Sequence, residues 1–362
     1  KGFGYASLET KSPVTPQTIF DLASCSKSFT ALATLLLWHD GLIDLDKPLK
    51  YYLPEFCLAD ENISAQITVR QLLLQTSGLP GEVSEPVSYH LGENAMNELV
   101  SAMAGVHPNG TPGSSFEYAN SNYNLLGALV ERVSGKSFED FVLERIFIPM
   151  GMKNSTLCPE IAARGDRADG HQLLLGRVVT RNTPIYRSAI PAGWMMSSAE
   201  DMSRWLIVNL NDGVIDGKQV VSAELIEIMH TTGETFIEDG KEAGYGMGWF
   251  TGFAEDGKEV FWHGGDTPNF LSEMILLPEE KLGVVMLANG QTCRGAHDIA
   301  VGIVSLALGV EFKLPQSPWW ASWKSVDNMA IYATILSLLL VLGLIPYIIW
   351  QIHVIRRLRQ QI

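Results

Sequence analysis

Positive charge is scarce in this 362-residue chain: 26 Lys and Arg stand against 40 Asp and Glu, a formal charge of -14. Such a balance repels phosphate backbones, so nucleic acid is a poor partner. Cysteine is sparse too. The four cysteines, Cys25, Cys57, Cys158 and Cys293, form no C-x-x-C pair and no metal-finger spacing, which leaves thiol redox and zinc sites without support. A bridge between Cys57 and Cys158 stays open, because sequence does not reveal pairing. G-x-S-x-G and H-E-x-x-H are absent as well, and with them the support for two common hydrolase chemistries. There is no internal repeat or low-complexity run, and 46% hydrophobic residues supply the material for a large core. No motif implies a cofactor or a metal.

Charge is missing altogether from residues 329–350, "MAIYATILSLLLVLGLIPYIIW", a stretch long enough for one bilayer crossing. Trp319, Trp320 and Trp323 precede it and Arg356, Arg357 and Arg359 follow it, an aromatic belt on one side and a positive, cytoplasmic end on the other. Pro346 kinks such a helix without forbidding it. The expectation is a transmembrane helix over 329–350 in contact with the lipid bilayer. Residues 313–328 form an aromatic-rich linker to it, and 351–362 a basic cytoplasmic tail. Residues 1–312 then form one domain outside the cytoplasm. The chain opens on Lys1 rather than Met, which leads us to expect that processing or the choice of fragment removed whatever preceded it.

Within 1–312, "SFTALATLLLWHDGL" predicts a buried helix that stops at Asp40-Gly41. A second is predicted in "TVRQLLLQTSGLP", with Thr68 as N-cap and Gly78 and Pro80 as the stop, and a third in "NSNYNLLGALVERVSG". "SAEDMSRWLIVNL" predicts a fourth, with Ser198 as N-cap and Asp201 completing a capping box. Later the pattern changes to short strand-like runs, "GYGMGWFTGF", "EVFWHGG", "SEMILLP" and "KLGVVMLAN", which read as an antiparallel meander. We expect an α/β fold: an antiparallel sheet over residues 245–289, with residues 2–7 as its first strand, flanked by helices and joined to a mostly helical second lobe.

The stretch "SCSK" opens the first helix. Residues three apart on a helix share a face, so Ser24 and Lys27 can meet. A serine hydroxyl needs a neighbouring base, and a lysine with a lowered pKa can supply one. A helix N-terminus also offers backbone N–H groups to an oxyanion. Taken alone, S-x-x-K is better explained by Ser24 as an N-cap and Lys27 as a solvated side chain. Two further phrases change the balance: Tyr118-Ala119-Asn120 before a helix, and His263-Gly264-Gly265 on a predicted strand.

S-x-x-K, Y-x-N and [KH]-x-G in this order resemble the serine β-lactamase and penicillin-binding-protein superfamily, in particular its class C-like branch of esterases and D-amino-acid peptidases. "TVRQLLLQTSGLP", "YANSNYNLLG", "PMGMKNST" and "PAGWMMSSAEDMSRW" are similar to phrases of that family, and the likeness spans nearly all of residues 1–310. The resemblance implies that Ser24 is acylated, with Lys27 and Tyr118 sharing its proton and Tyr118 returning it to the leaving group. Asn120 would bond Lys27 or a substrate amide. The backbone N–H groups of Ser24 and Asp266 would form the oxyanion hole, with Asp266 following His263-Gly264-Gly265 on the edge strand. Cys25 and Ser26 would be spacers. No cofactor is implied, and the partner is a small-molecule or peptide substrate.

His263 stands where β-lactamases and transpeptidases usually carry lysine. A histidine is largely neutral at pH 7, so a substrate carboxylate would be held less firmly, which favours an ester or a peptide amide over a β-lactam. Gln75 stands where the family phrase often has histidine. The leading expectation is a membrane-anchored serine hydrolase; a narrower form resembles the membrane-tethered peptidases that remove an acyl-D-asparagine group from secreted natural products. The alternatives are a β-lactam-hydrolysing or penicillin-binding enzyme, an acylated receptor without turnover, and a scaffold that has lost activity. Retention of Ser24, Lys27 and Tyr118 speaks against the last.

Overall fold

The computed structural model describes residues 1–81, 90–174, 177–181, 183–238, 241–254, 257–290 and 295–312, together with part of 332–351. The chain divides into two compact units. One comprises Lys1–His171 with Thr180–Leu314, and the other Gln172–Val179 with Pro315–Ile362. In the second unit the described residues 332–338 are helical. Among the described residues no helix is long and apolar enough to cross a membrane. The expected span at 329–350 is described only in part, and the linker at 313–328 and the tail at 352–362 lie outside the described residues.

In the first unit, β1 (Ile19–Asp21) leads through a 3-10 turn, Ala23–Cys25, into α1 (Ser26–His39). Every residue of α1 from Ser26 to Leu36 is buried, so this apolar run is the axis of the core. α2 (Val69–Leu73) begins at Thr68 with the expected cap, a full capping box closed by Gln71. It stops well before Gly78, because Gln75 adopts a left-handed φ of 60° that ends any helix. α3 (Asn120–Ser134) ends at Gly135 in the left-handed C-cap conformation. α4 (Ile190–Gly193) follows, then β2 (Met196–Ser198), which pairs antiparallel with β1. In α5 (Ala199–Leu210) Ser198 caps as expected, but Asp201 completes no capping box. Its carboxylate accepts instead from Asn154 N and Ser155 Oγ, tying down a distant loop.

After α6 (Ala223–His230) come six strands: β3 (Glu234–Glu238), β4 (Lys241–Tyr245), β5 (Phe250–Phe253), β6 (Glu259–Asp266), β7 (Leu271–Leu277) and β8 (Leu282–Ala288). They lie in sequence order as an antiparallel meander. The period of 2 assigns the faces of β7: Met274 and Leu276 join the main core around α1, whereas Ile275 and Leu277 pack with Val284 and Ala300 under α7 (Gly295–Leu308).

Two expectations are corrected, and the bridge left open between Cys57 and Cys158 is decided. Residues 2–7 are not a strand of the sheet; Tyr5 makes only an isolated bridge to Pro13, because Ala6 N and Gly4 O bond Ser12 O and Val14 N in a local loop. β3 and most of β4 precede the predicted meander. Cys57 and Cys158 are free thiols, not a bridge; Cys293 lies outside the described residues.

Candidate active site

Ser24 sits at the point where β1 turns into α1, and four contacts fix that turn. Leu22 N donates to Met195 O (2.8 Å), Met195 N to Ser26 Oγ (3.1 Å), Ser272 Oγ to Leu22 O (2.5 Å), and Cys25 Sγ to His263 O (3.1 Å). Cys25 and Ser26 are therefore anchors rather than spacers. Ala23 is held at φ 46°, a left-handed backbone that a non-glycine residue adopts only under constraint. Ser24 itself remains half-buried and caps no helix.

Lys27 is fully buried one turn later. Its Nζ lies 3.1 Å from Ser24 Oγ, 2.7 Å from Asn120 Oδ1 and 2.8 Å from Ala192 O. An ammonium has three protons, and each finds an acceptor. Asn120 Oδ1 and Ala192 O can only accept, so when Lys27 loses a proton its lone pair is left facing Ser24. Burial lowers the Lys27 pKa to about 7. A Cys25 thiolate would oppose the shift, but burial pushes that thiol up to about 12, so it is uncharged where Lys27 titrates.

Ala192 is held from two sides: Thr30 Oγ1 donates to the adjacent Pro191 O (2.7 Å), and Ala192 N donates to Asn124 Oδ1 (3.2 Å). The approach of α4 to α3 requires Gly127, where a Cβ would lie 2.1 Å from Pro191 Cγ.

The Tyr118 ring covers Lys27, with Nζ 4.7 Å from its centroid. Burial raises its pKa well above the ordinary value and the Tyr245 side chain adds to this, while a hydrogen bond with Ser24 works against it. The resting phenol is therefore neutral. Asn120, on the first turn of α3, spends its carbonyl on Lys27 instead of capping the helix.

His263 is buried, its Nδ1 2.7 Å from Gly264 O and its Nε2 3.5 Å from Tyr245 Oη. A carbonyl partner assigns the proton to Nδ1. Burial, and then the charge of Lys27, depress its pKa to about 3, so the imidazole is neutral. The strand carrying it is interior to the sheet, which corrects the expectation of an edge strand. β5 pairs with it only over Glu259–Trp262, however, whereas β7 pairs with it as far as Asp266. His263 to Asp266 thus run past the end of β5, and the Ser24 turn docks on this part of the strand. Gly265 permits the docking, since a Cβ there would lie 2.3 Å from Ser272 Oγ and 2.6 Å from Leu22 O. Gly264 faces Glu273, and Asp266 is exposed at the strand end.

Sequence reasoning left the contacts of several supporting residues unassigned. Gln75 Oε1 accepts from Ala119 N (3.0 Å) and Asn122 Nδ2 (2.5 Å), which fixes the turn bearing Tyr118 and Asn120. Its place in the "TSG" phrase was the available signal. Tyr123 Oη donates to Leu73 O (2.8 Å) and adjoins Tyr245. Ala192 acts through its backbone, so its place in the "PAGW" phrase does not reveal its contact with Lys27.

A serine joined to a buried lysine, with a tyrosine over the lysine and a glycine-bearing strand alongside, defines a class of acyl-transfer sites. The model of the family described as "Beta-lactamase" matches residues 1–305. The "Protein flp" of Staphylococcus aureus (strain MW2) is 29% identical over 289 residues, 80% of this chain. The chain spans only 56% of that relative's length. "Penicillin-binding protein 4" of Amycolatopsis lactamdurans is 29% identical over 286 residues, covering 76% of this chain and 74% of that one. The octameric penicillin-binding protein homologue from Pyrococcus abyssi superposes with a TM-score of 0.71 at 30% identity, over 86% of this chain and 70% of that one. The chain belongs to the beta-lactamase family, with the α/β fold of β-lactamases and penicillin-binding proteins.

Proposed function

We propose that this protein is a membrane-anchored serine hydrolase that works through an acyl-enzyme on Ser24 and cleaves an ester or a peptide amide, with a D-amino acid at the scissile bond as one substrate class. The observation that carries the proposal is the Lys27 amine, held so that deprotonation turns its lone pair to Ser24 Oγ. Neutral Lys27 takes the serine proton as Oγ attacks the carbonyl. Tyr118, a neutral phenol hydrogen-bonded with Ser24, passes a proton to the leaving group. The N–H groups of Ser24 and Asp266 receive the oxyanion. Asn120 keeps Lys27 in register. Neutral His263 offers no charge to a substrate carboxylate, which supports an ester or amide over a β-lactam. The uncharged run at 329–350, with tryptophans before it and arginines after it, supports an anchor with the catalytic domain outside the cytoplasm.

The test is labelling by a fluorophosphonate probe in wild type and Ser24→Ala, followed by p-nitrophenyl esters, nitrocefin and D-aminoacyl anilides. Labelling of wild type alone, with turnover of esters or anilides ahead of nitrocefin, is expected. Equal labelling of Ser24→Ala refutes the nucleophile, and labelling without turnover favours an acylated receptor. For topology, a protease that cannot cross the membrane should digest the catalytic domain from outside.

A further inference from the structure

Beside Tyr118 lies a continuous run of half-buried aromatic rings, Phe236 and Phe250 from the strands and Phe116 from the loop before α3. Phe250 lies parallel to Tyr118 at 6.1 Å between centroids, with an interplanar angle of 12°. Phe236, from β3, meets Phe250 edge-on at 6.1 Å and stacks on Phe116 at 4.2 Å and 8°. All three are partly exposed and pack on the core from outside. Core packing alone does not require rings that keep open surface. β3 and β4 form an antiparallel hairpin that brings Phe236 to this place.

We propose that Phe116, Phe236 and Phe250 form an aromatic ledge for the leaving group, so that the substrate carries an apolar, ring-sized alcohol or amine on the departing side of its acyl bond. The proposal rests on the serine hydrolase reaction above and adds to it the class of group expelled. In that reaction Ser24 Oγ bonds to the acyl carbon. The bond from that carbon to the leaving oxygen or nitrogen breaks with its electron pair on the heteroatom, and the proton lost by Ser24 ends there through Tyr118. The leaving heteroatom must therefore sit against the Tyr118 hydroxyl, and a group extending from it past the tyrosine ring meets Phe250 and then the Phe116–Phe236 stack. Burying a ring against such faces rewards an apolar leaving group and not a charged one.

The experiment compares kcat/KM for 2-phenylethyl acetate and ethyl acetate, two esters with one acyl group and alcohols of similar acidity, in wild type, Phe236→Ala and Phe236→Leu. Because kcat/KM reports acylation, the step in which the alcohol departs, the ratio isolates the ledge. Wild type should prefer the phenylethyl ester about tenfold or more, Phe236→Ala should cut the ratio about fivefold, and Phe236→Leu should fall between. Phe236→Leu keeps apolar bulk in the hairpin and serves if the alanine variant does not fold. A wild-type ratio near one, or a ratio unchanged in the folded variants, overturns the ledge while leaving the hydrolase intact. Absence of turnover of both esters in a protein that turns over p-nitrophenyl esters or D-aminoacyl anilides overturns the ledge alone, and absence of Ser24-dependent turnover of all of them overturns the hydrolase reaction and the ledge with it.

Discussion

Lys27 makes one prediction that activity and stability must satisfy together. Burial takes its pKa from 10.5 to about 7, a shift worth about 5 kcal/mol. Only the neutral amine accepts the serine proton, so the rate of fluorophosphonate labelling should rise tenfold per pH unit below about 7 and level off above it. Between pH 5 and the plateau the gain is about a hundredfold. Stability follows the same proton. Below pH 7 Lys27 is charged in both states and the folded protein carries the full cost of burying it. Between about 7 and 10.5 the folded state has released the proton while the unfolded chain still holds it, so stability rises with pH. From pH 7 to 9 this contributes about 2 kcal/mol, read by urea denaturation, and Lys27→Met should remove that slope and abolish labelling. Lys27→Arg should also lose at least about a hundredfold in labelling, since a guanidinium does not deprotonate. A labelling rate flat from pH 5 to 8, or one still climbing tenfold per unit above pH 9, refutes the assignment of the base.

Three further outcomes follow from the packing. Gly265→Ala forces a methyl against Ser272 Oγ and Leu22 O; it should destabilise the fold by about 1–3 kcal/mol and slow labelling more than it lowers Tm, because the displaced segment carries Ser24. Gln75→Ala strands the buried Ala119 N–H and puts alanine at a left-handed φ, with a loss of about 1–3 kcal/mol in chemical denaturation. Arg167 pairs with the buried Asp21, whose pKa is raised by burial and lowered by that arginine. Arg167→Met should cost about 3–5 kcal/mol, and Asp21→Asn in the same chain should restore part of it.

The central helix was legible because an uninterrupted apolar run bounded by Asp40-Gly41 has few other solutions. The last four strands were legible because their alternation and turns are local. β3 was not, since its charged and polar residues mask the strand pattern until it pairs with β4. Residues 2–7 carried strand-like composition, but their hydrogen bonds were spent on a nearby loop. Of the site, the S-x-x-K, Y-x-N and H-x-G residues could be listed from the sequence because helix spacing and family resemblance both depend on side-chain identity.

Sequence by itself determined which chemical groups are available, and, through the period of 3.6, that Ser24 and Lys27 share a helix face. Tertiary structure alone decided that Lys27 is dry, that its two other acceptors are Asn120 Oδ1 and the Ala192 carbonyl, and that Tyr118 stays neutral over it. Those properties depend on burial and on a backbone oxygen 165 positions away along the chain. Desolvation is a property of everything packed around a group, and no local pattern encodes it.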